Sequence, residues 1–149
     1  MRAVVERVRR ATVTVAGEVV GRIDGGLLVY AAAAPDDGEA DVAYIADKVA
    51  HLRVFRDAEG KMNRSVGEIG GSVLLVSAFT VHADARKGRR PAFDGSASGP
   101  VAEPLIEKLA AAIRGLGLRV ETGRFAADMA VEAVNEGPIC VLLDSRRLF

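Results

Sequence analysis

The sequence predicts an α+β fold: a largely antiparallel β-sheet closing toward a barrel-like core, with two main helices against it. Three observations carry that prediction. The opening third is dominated by β-branched runs separated by turn residues, and two helical patterns stand apart with strand patterns between them. At 149 residues, 50% of them hydrophobic, the chain has material for one real core. Residues 1–149 are therefore read as a single domain.

The first strands are the clearest. Residues 3–8 and 11–15 are rich in valine and threonine, and Ala16-Gly17-Glu18 is a tight hairpin signal leading into residues 19–23. Asp24-Gly25-Gly26 turns the chain into residues 27–34, a continuous apolar run expected to be a buried central strand. Pro35-Asp36-Asp37-Gly38 stops that run and supplies acidic capping residues for a helix over residues 39–52. Val42, Ile45, Ala46, Val49 and Leu52 share one face of it, and His51 in its last turn is read as a surface residue favoured by the helix dipole.

β character returns over residues 54–77, with a polar turn at Glu59-Gly60 and a second continuous apolar strand over 71–77. Carried on to His82, that strand would put Ser77, Phe79 and Val81 on one side and Ala78, Thr80 and His82 on the other. Residues 91–100 read as a loop. Leu105, Leu109, Ile113 and Leu116 then recur at helical spacing over 101–116, and Gly115 and Gly117 end the helix. A strand over 118–122 follows, and after it two apolar runs, 129–134 and 139–143, are interrupted by Gly137-Pro138. Proline lacks an amide donor and fixes its own φ, so the pair reads as a rigid turn between strands. An X-Pro bond is also where a cis peptide costs only about 0.5–1 kcal/mol, and the residues alone leave the isomer open.

Composition narrows the chemistry. Twenty basic and twenty acidic residues cancel, so no overall basic field points to nucleic acid, but Arg86, Lys87, Arg89 and Arg90 around Gly88 form a dense basic run. Such a run is either a solvated loop or a phosphate contact, since guanidinium groups match phosphate oxygens in pairs. The single Cys140 excludes an internal disulfide, and with only His51 and His82 beside it argues against a protein-built zinc site. The expected compartment is the cytoplasm, and no apolar run approaches the ~20 residues that span a membrane. Within its apolar run Cys140 is expected to be a small buried residue rather than a nucleophile. Thr80, His82 and Asp84 have the residue types of a nucleophile, base and orienter. Residues two apart on a strand, however, sit about 6.5 Å apart, too far for that relay. Phe125, after Gly123-Arg124, is either a core plug or an aromatic platform for a base.

In this order the pieces resemble the D-aminoacyl-tRNA deacylases, and the resemblance covers nearly the whole chain. Ser77-Ala78-Phe79-Thr80-Val81 is similar to that family's Ser-Gln-Phe-Thr-Leu, and Asn135-Glu136-Gly137-Pro138-Ile139-Cys140 to its Asn-x-Gly-Pro-x-Thr. Glu6-Arg7-Val8 and the run from Thr122 to Met129 extend the match. The resemblance implies a cytoplasmic homodimer, needing no metal or cofactor, that proofreads chirality in translation by hydrolysing D-aminoacyl-tRNA and mischarged glycyl-tRNA. It further implies that Gly137-Pro138 is cis, enters the partner's active site and rejects L-aminoacyl esters, with Arg7 locking the segment. Ser77, Phe79 and Thr80 would surround the ester, with backbone amides near Phe79 and Thr80 for the oxyanion. Phe125 and Met129 would lie around the terminal adenosine and amino acid. Ala78 and Cys140 stand where the family carries glutamine and threonine, and both positions belong to the implied substrate site. Ala78 keeps open an alternative, a weakened relative that binds tRNA acceptor ends without efficient turnover; a trans Gly-Pro would instead imply relaxed chirality.

Overall fold

The structure, a computed structural model, describes residues 1–149 and is organised around one long strand. β1 (Arg2–Val15) carries β2 (Glu18–Ile23) and β3 (Gly26–Ala32) end to end along its length, both antiparallel. β8 (Ala130–Asp144) pairs antiparallel with nearly all of β1. β4 (Phe55–Arg56) and β5 (Met62–Arg64) form a small separate ribbon. β6 (Ser72–Ser77) joins β3 in parallel, and β7 (Arg119–Thr122) joins β6 in parallel. The curl brings β2 against β7: a Cβ added at Gly21 would lie 2.5 Å from the Thr122 carbonyl oxygen. The sheet is thus nearly closed.

Alternation along β1 sends Ala3 and Val5 to one face, toward the helices α1 (Glu39–His51) and α2 (Gly99–Gly115). Val42, Ile45 and Val49 of α1 and Leu105, Leu109 and Ile113 of α2 complete that core. Val8, Ala11, Val13, Ile23, Leu28, Leu74 and Val76 fill a second, smaller core. Each fully buried Leu, Ile or Val contributes about 1.5–3 kcal/mol relative to exposure, so the larger cluster dominates stability. No helix is long and apolar enough to cross a membrane.

Three expectations are corrected. The strand ends at Ser77, and Phe79–His82 form a short 3-10 helix, so Thr80 and His82 do not share a strand face. The reason is the loss of a ladder partner: Ala78 N–H still donates to the Ala31 carbonyl at 2.9 Å, but β3 ends at Ala32 and Val81 N–H turns back to the Ala78 carbonyl. Second, Gly137-Pro138 is a cis peptide inside β8 rather than a turn between two strands. The register passes from Glu6 opposite Cys140 to Val8 opposite Asn135, so residues 136–139 bulge out opposite the single residue Arg7. Third, Cys140 is exposed, because β8 is packed on one face only and Cys140 faces outward beside Glu6.

Candidate active site

The ends of β3 and β6 lie side by side because the two strands are parallel, and their C-terminal ends open into a pocket of about 460 Å³. Ala31, Ala32 and Ala33 form one wall, and Ser77, Ala78 and Phe79 continue from β6. Gly99, Ala102 and Ile106 of α2 cover another side, with residues 125–129 between β7 and β8 on the third. The alanines matter by being small, since longer side chains would fill the space. Met129 comes close because residue 123 is glycine; a Cβ there would lie 2.6 Å from the Met129 sulfur. The lining is apolar, and Asp128 is its one ionisable side chain.

The rim is built from main chain. Phe79 is 58% exposed, and its ring meets Phe93 edge-on at 5.1 Å. Ser96 Oγ donates to the Phe79 carbonyl at 2.7 Å. The N–H groups of Phe79 and Thr80 open the 3-10 helix ahead of its first internal bond, from Val81 N–H to the Ala78 carbonyl, and so have no intrahelical acceptor. Unpaired donors at a helix start are suited to an oxygen that carries negative charge. The Thr80 side chain is exposed and stands outside the pocket lining.

His82 turns to a different hollow, shared with Arg2, Asp144 and Arg146. Burial first, then the charge of Arg2, pushes its imidazole below the ordinary histidine range, and Nε2 has no partner. The hydrogen bonds from Arg86 hold the Asp84 carboxyl well below the usual carboxylate range, with the pair at 2.5 Å. Asp84 is therefore committed to Arg86, and Thr80, His82 and Asp84 form no relay. Although Cys140 is exposed, partial desolvation of its sulfur and the charge of Glu6 push the thiol up, which disfavours a thiolate nucleophile.

The Gly137-Pro138 bulge is braced from behind. Arg7 is buried, donating from Nε to the Glu136 carbonyl at 2.9 Å and from a terminal nitrogen to the Val54 carbonyl at 2.5 Å. Asn135 spans the base, donating to the Ile139 carbonyl at 2.9 Å and accepting from Ile139 N–H at 3.0 Å. Gly137, Pro138 and Cys140 are exposed and do not line the pocket of their own chain. In the basic loop Lys87, Arg89 and Arg90 are exposed and unpaired, whereas Arg86 is taken by Asp84. No three His, Cys, Asp or Glu side chains gather as a metal-binding group.

The structure thus brings Ser77, Ala78, Phe79, Phe125 and Met129 together and leaves Thr80 beside them; Arg7, Gly137, Pro138 and Cys140 form a second group at the bulge. Sequence reasoning missed the alanine wall, Phe93, Ser96 and the Val54 carbonyl. An alanine run carries no signal that distinguishes a pocket wall from a core strand.

A nearly closed α+β domain whose apolar pocket carries a single ionisable side chain, with a 3-10 helix starting at its rim, is the architecture of a family of enzymes. The model of the D-Tyr-tRNA(Tyr) deacylase family matches residues 4–144, and the chain belongs to that family, one of hydrolases. It is 55% identical to a D-aminoacyl-tRNA deacylase of Symbiobacterium thermophilum over 149 residues, covering 100% of this chain and 99% of the relative. To a protein of the same name from Anaeromyxobacter dehalogenans it is 56% identical, with both chains covered in full (100%). A solved structure of the c-Myc DNA unwinding element binding protein superposes with a TM-score of 0.91 at 33% identity, covering 97% of this chain and 98% of that one. A probable eukaryotic D-amino acid tRNA deacylase shares the fold, with a TM-score of 0.82 at 17% identity over 95% and 97% of the two chains.

Proposed function

We propose that this protein hydrolyses the ester joining a D-amino acid, or glycine, to the 3′ end of tRNA and spares the L-ester. The observation that carries the reading is the start of the 3-10 helix at the rim of the pocket, where the N–H groups of Phe79 and Thr80 precede the first intrahelical bond. The ester carbonyl oxygen lies on those donors, which are strongest when it becomes an oxyanion. Water, helped by the ribose 2′-hydroxyl of the substrate, adds to the acyl carbon; the ester bond then breaks and the ribose oxygen takes the proton. Phe125 and Met129 hold the terminal adenosine and the amino acid, with Ser77, Ala78 and the Thr80 hydroxyl beside the ester. The names of the relatives support the substrate class.

Selectivity comes from the bulge. Gly137 and Pro138, fixed by Arg7 and Asn135, form a rigid backbone wall where an L side chain would have to sit, and the wall has no need to read the side chain itself. The bulge lies outside its own pocket, so it reaches an ester only in a second copy, and the working form is a homodimer. Cys140 flanks the wall. Lys87, Arg89 and Arg90 meet tRNA phosphates, with Arg86 oriented by Asp84. The protein works in the cytoplasm, and the reaction uses no metal or cofactor. Incubating purified protein with matched D-, L- and glycyl-tRNA tests this. Loss of the D and glycyl esters with the L ester intact is expected. If no ester is lost while tRNA still binds, the activity is refuted and a binding protein weakened by Ala78 takes its place.

A further inference from the structure

We infer that Ser96 is a positioning residue for this hydrolysis: its hydroxyl fixes the peptide between Phe79 and Thr80 and so aims the Thr80 N–H at the oxyanion. The inference rests on the reading of the Phe79 and Thr80 amides as oxyanion donors and adds the side chain that orients one of them. The Phe79 carbonyl and the Thr80 N–H belong to one planar peptide unit and point in opposite directions. A bond that holds the carbonyl therefore sets the direction of the N–H. Ser96 Oγ supplies that bond at 2.7 Å, from 17 residues away in sequence.

The turn needs such support. It begins where the ladder between β3 and β6 has stopped, spans four residues and fully buries none of them. Short 3-10 segments have poor hydrogen-bond geometry and little stability of their own. The support, by contrast, is anchored on both sides of Ser96. Ser96 N–H donates to the Phe93 carbonyl at 2.9 Å, and Ala97 N–H, on a buried residue, donates to the Ala33 carbonyl at 2.8 Å beside the end of β3. Upstream, Asp84 and Ala92 exchange two backbone hydrogen bonds of 2.8 Å. The hydroxyl thus leaves a rigid base tied to the wall of the pocket. Donation to a carbonyl also polarises its amide, strengthening the N–H on the far side by roughly 10–30%.

The test compares Ser96→Ala and Ser96→Thr in the full-length protein with D-aminoacyl-tRNA. Removing an oxyanion donor outright costs about 100–1,000-fold in kcat, and a donor left in place but badly aimed should cost less, about 10-fold. The Ala variant is expected to lose that in kcat with KM within about two-fold, and Thr, which keeps the hydroxyl, to recover most of it. Two probes separate aim from architecture. A non-hydrolysable D-aminoacyl-adenosine amide should bind both variants equally, whereas a phosphonate mimic of the tetrahedral intermediate should lose affinity for the Ala variant in step with kcat. An unchanged kcat in Ser96→Ala, or a parallel loss of both ligands and of thermal stability, overturns the inference. If the unmodified protein hydrolyses no D or glycyl ester, the reading of the amides fails first and takes this inference with it.

Discussion

Two hollows flank the 3-10 helix, and they are built from opposite materials. The pocket on the Phe79 side, about 460 Å³, is walled by alanine, phenylalanine and methionine. The hollow on the His82 side, about 560 Å³, gathers Met1, Arg2, His82, Asp84, Arg86, Asp144 and Arg146. A search guided by titratable side chains would choose the second. Its charges, however, satisfy one another: the Met1 ammonium donates to Asp37 and Ser145 at 2.7 Å each, Arg2 pairs with Asp144 at 2.8 Å, and Arg146 pairs with Asp36. That network ties the first residue of β1 to the end of β8. In this protein ionisable density marks a structural clasp, and the proposed chemistry lies in the hollow with hardly any.

The contrast can be broken or sharpened by substitution. The largest effect is expected at Arg7, whose removal leaves the Glu136 and Val54 carbonyls without their donor in a buried site. Arg7→Ala should cost roughly 2–4 kcal/mol in urea unfolding and reduce D-over-L discrimination at least ten-fold in paired deacylation assays. Arg7→Lys should not restore either, because a single ammonium cannot reach two divergent carbonyls. If discrimination survives Arg7→Ala, the bulge is not the selective element.

A smaller effect is expected in the clasp. Burial alone would raise the Asp144 carboxyl, but Arg2, the Arg146 amide and the N-terminal charge together hold it below the ordinary range. The Asp41 carboxyl is lowered as well, first by the Ser145 hydroxyl. A depressed folded-state value gives stability that is fully present above about pH 3.9, the unfolded value, and is lost as pH falls through the folded one. Asp144→Asn should therefore cost about 1–3 kcal/mol at neutral pH and flatten the acid limb of the stability profile, while kcat at neutral pH stays within two-fold. A large fall in kcat with the fold intact would place chemistry in the wrong hollow. The smallest effect is expected in the basic loop. Arg89→Ala with Arg90→Ala should weaken tRNA binding a few-fold and lower the slope of log affinity against log salt by roughly 1.4–1.8, with the rate on saturating substrate unchanged.

Much of this was legible in the sequence. The helices begin and end within two residues of their expected bounds, because apolar spacing of 3.6 survives any tertiary context that buries one face. The Ser77–Thr80 motif and the Gly-Pro pair were visible too. What failed were readings that needed a partner. Alternation from Ser77 to His82 assumed a neighbouring strand that ends at Ala32. The apolar neighbours of Cys140 suggest burial, but β8 is packed on one face and such a strand alternates outward as well as inward. A glycine-proline pair marks a bulge and a turn alike, so only register could separate them. The Arg7 clamp did leave a trace: it falls on the face of Ala3 and Val5, where a charged residue must have buried acceptors to meet. Ser96, one small polar residue in a loop of several, left none.

The four-to-one mismatch at Arg7 has a consequence for how this protein can change. Apart from a second, one-residue irregularity at Arg9, the ladder between β1 and β8 is regular on either side of it, from Arg2 opposite Asp144 to Glu6 opposite Cys140, and from Arg10 opposite Val134 to Thr14 opposite Ala130. The bulge is a braced excursion from a line held in register at both ends. The register on each side is set by its own paired residues, so the integrity of the sheet does not depend on the length of the segment between them.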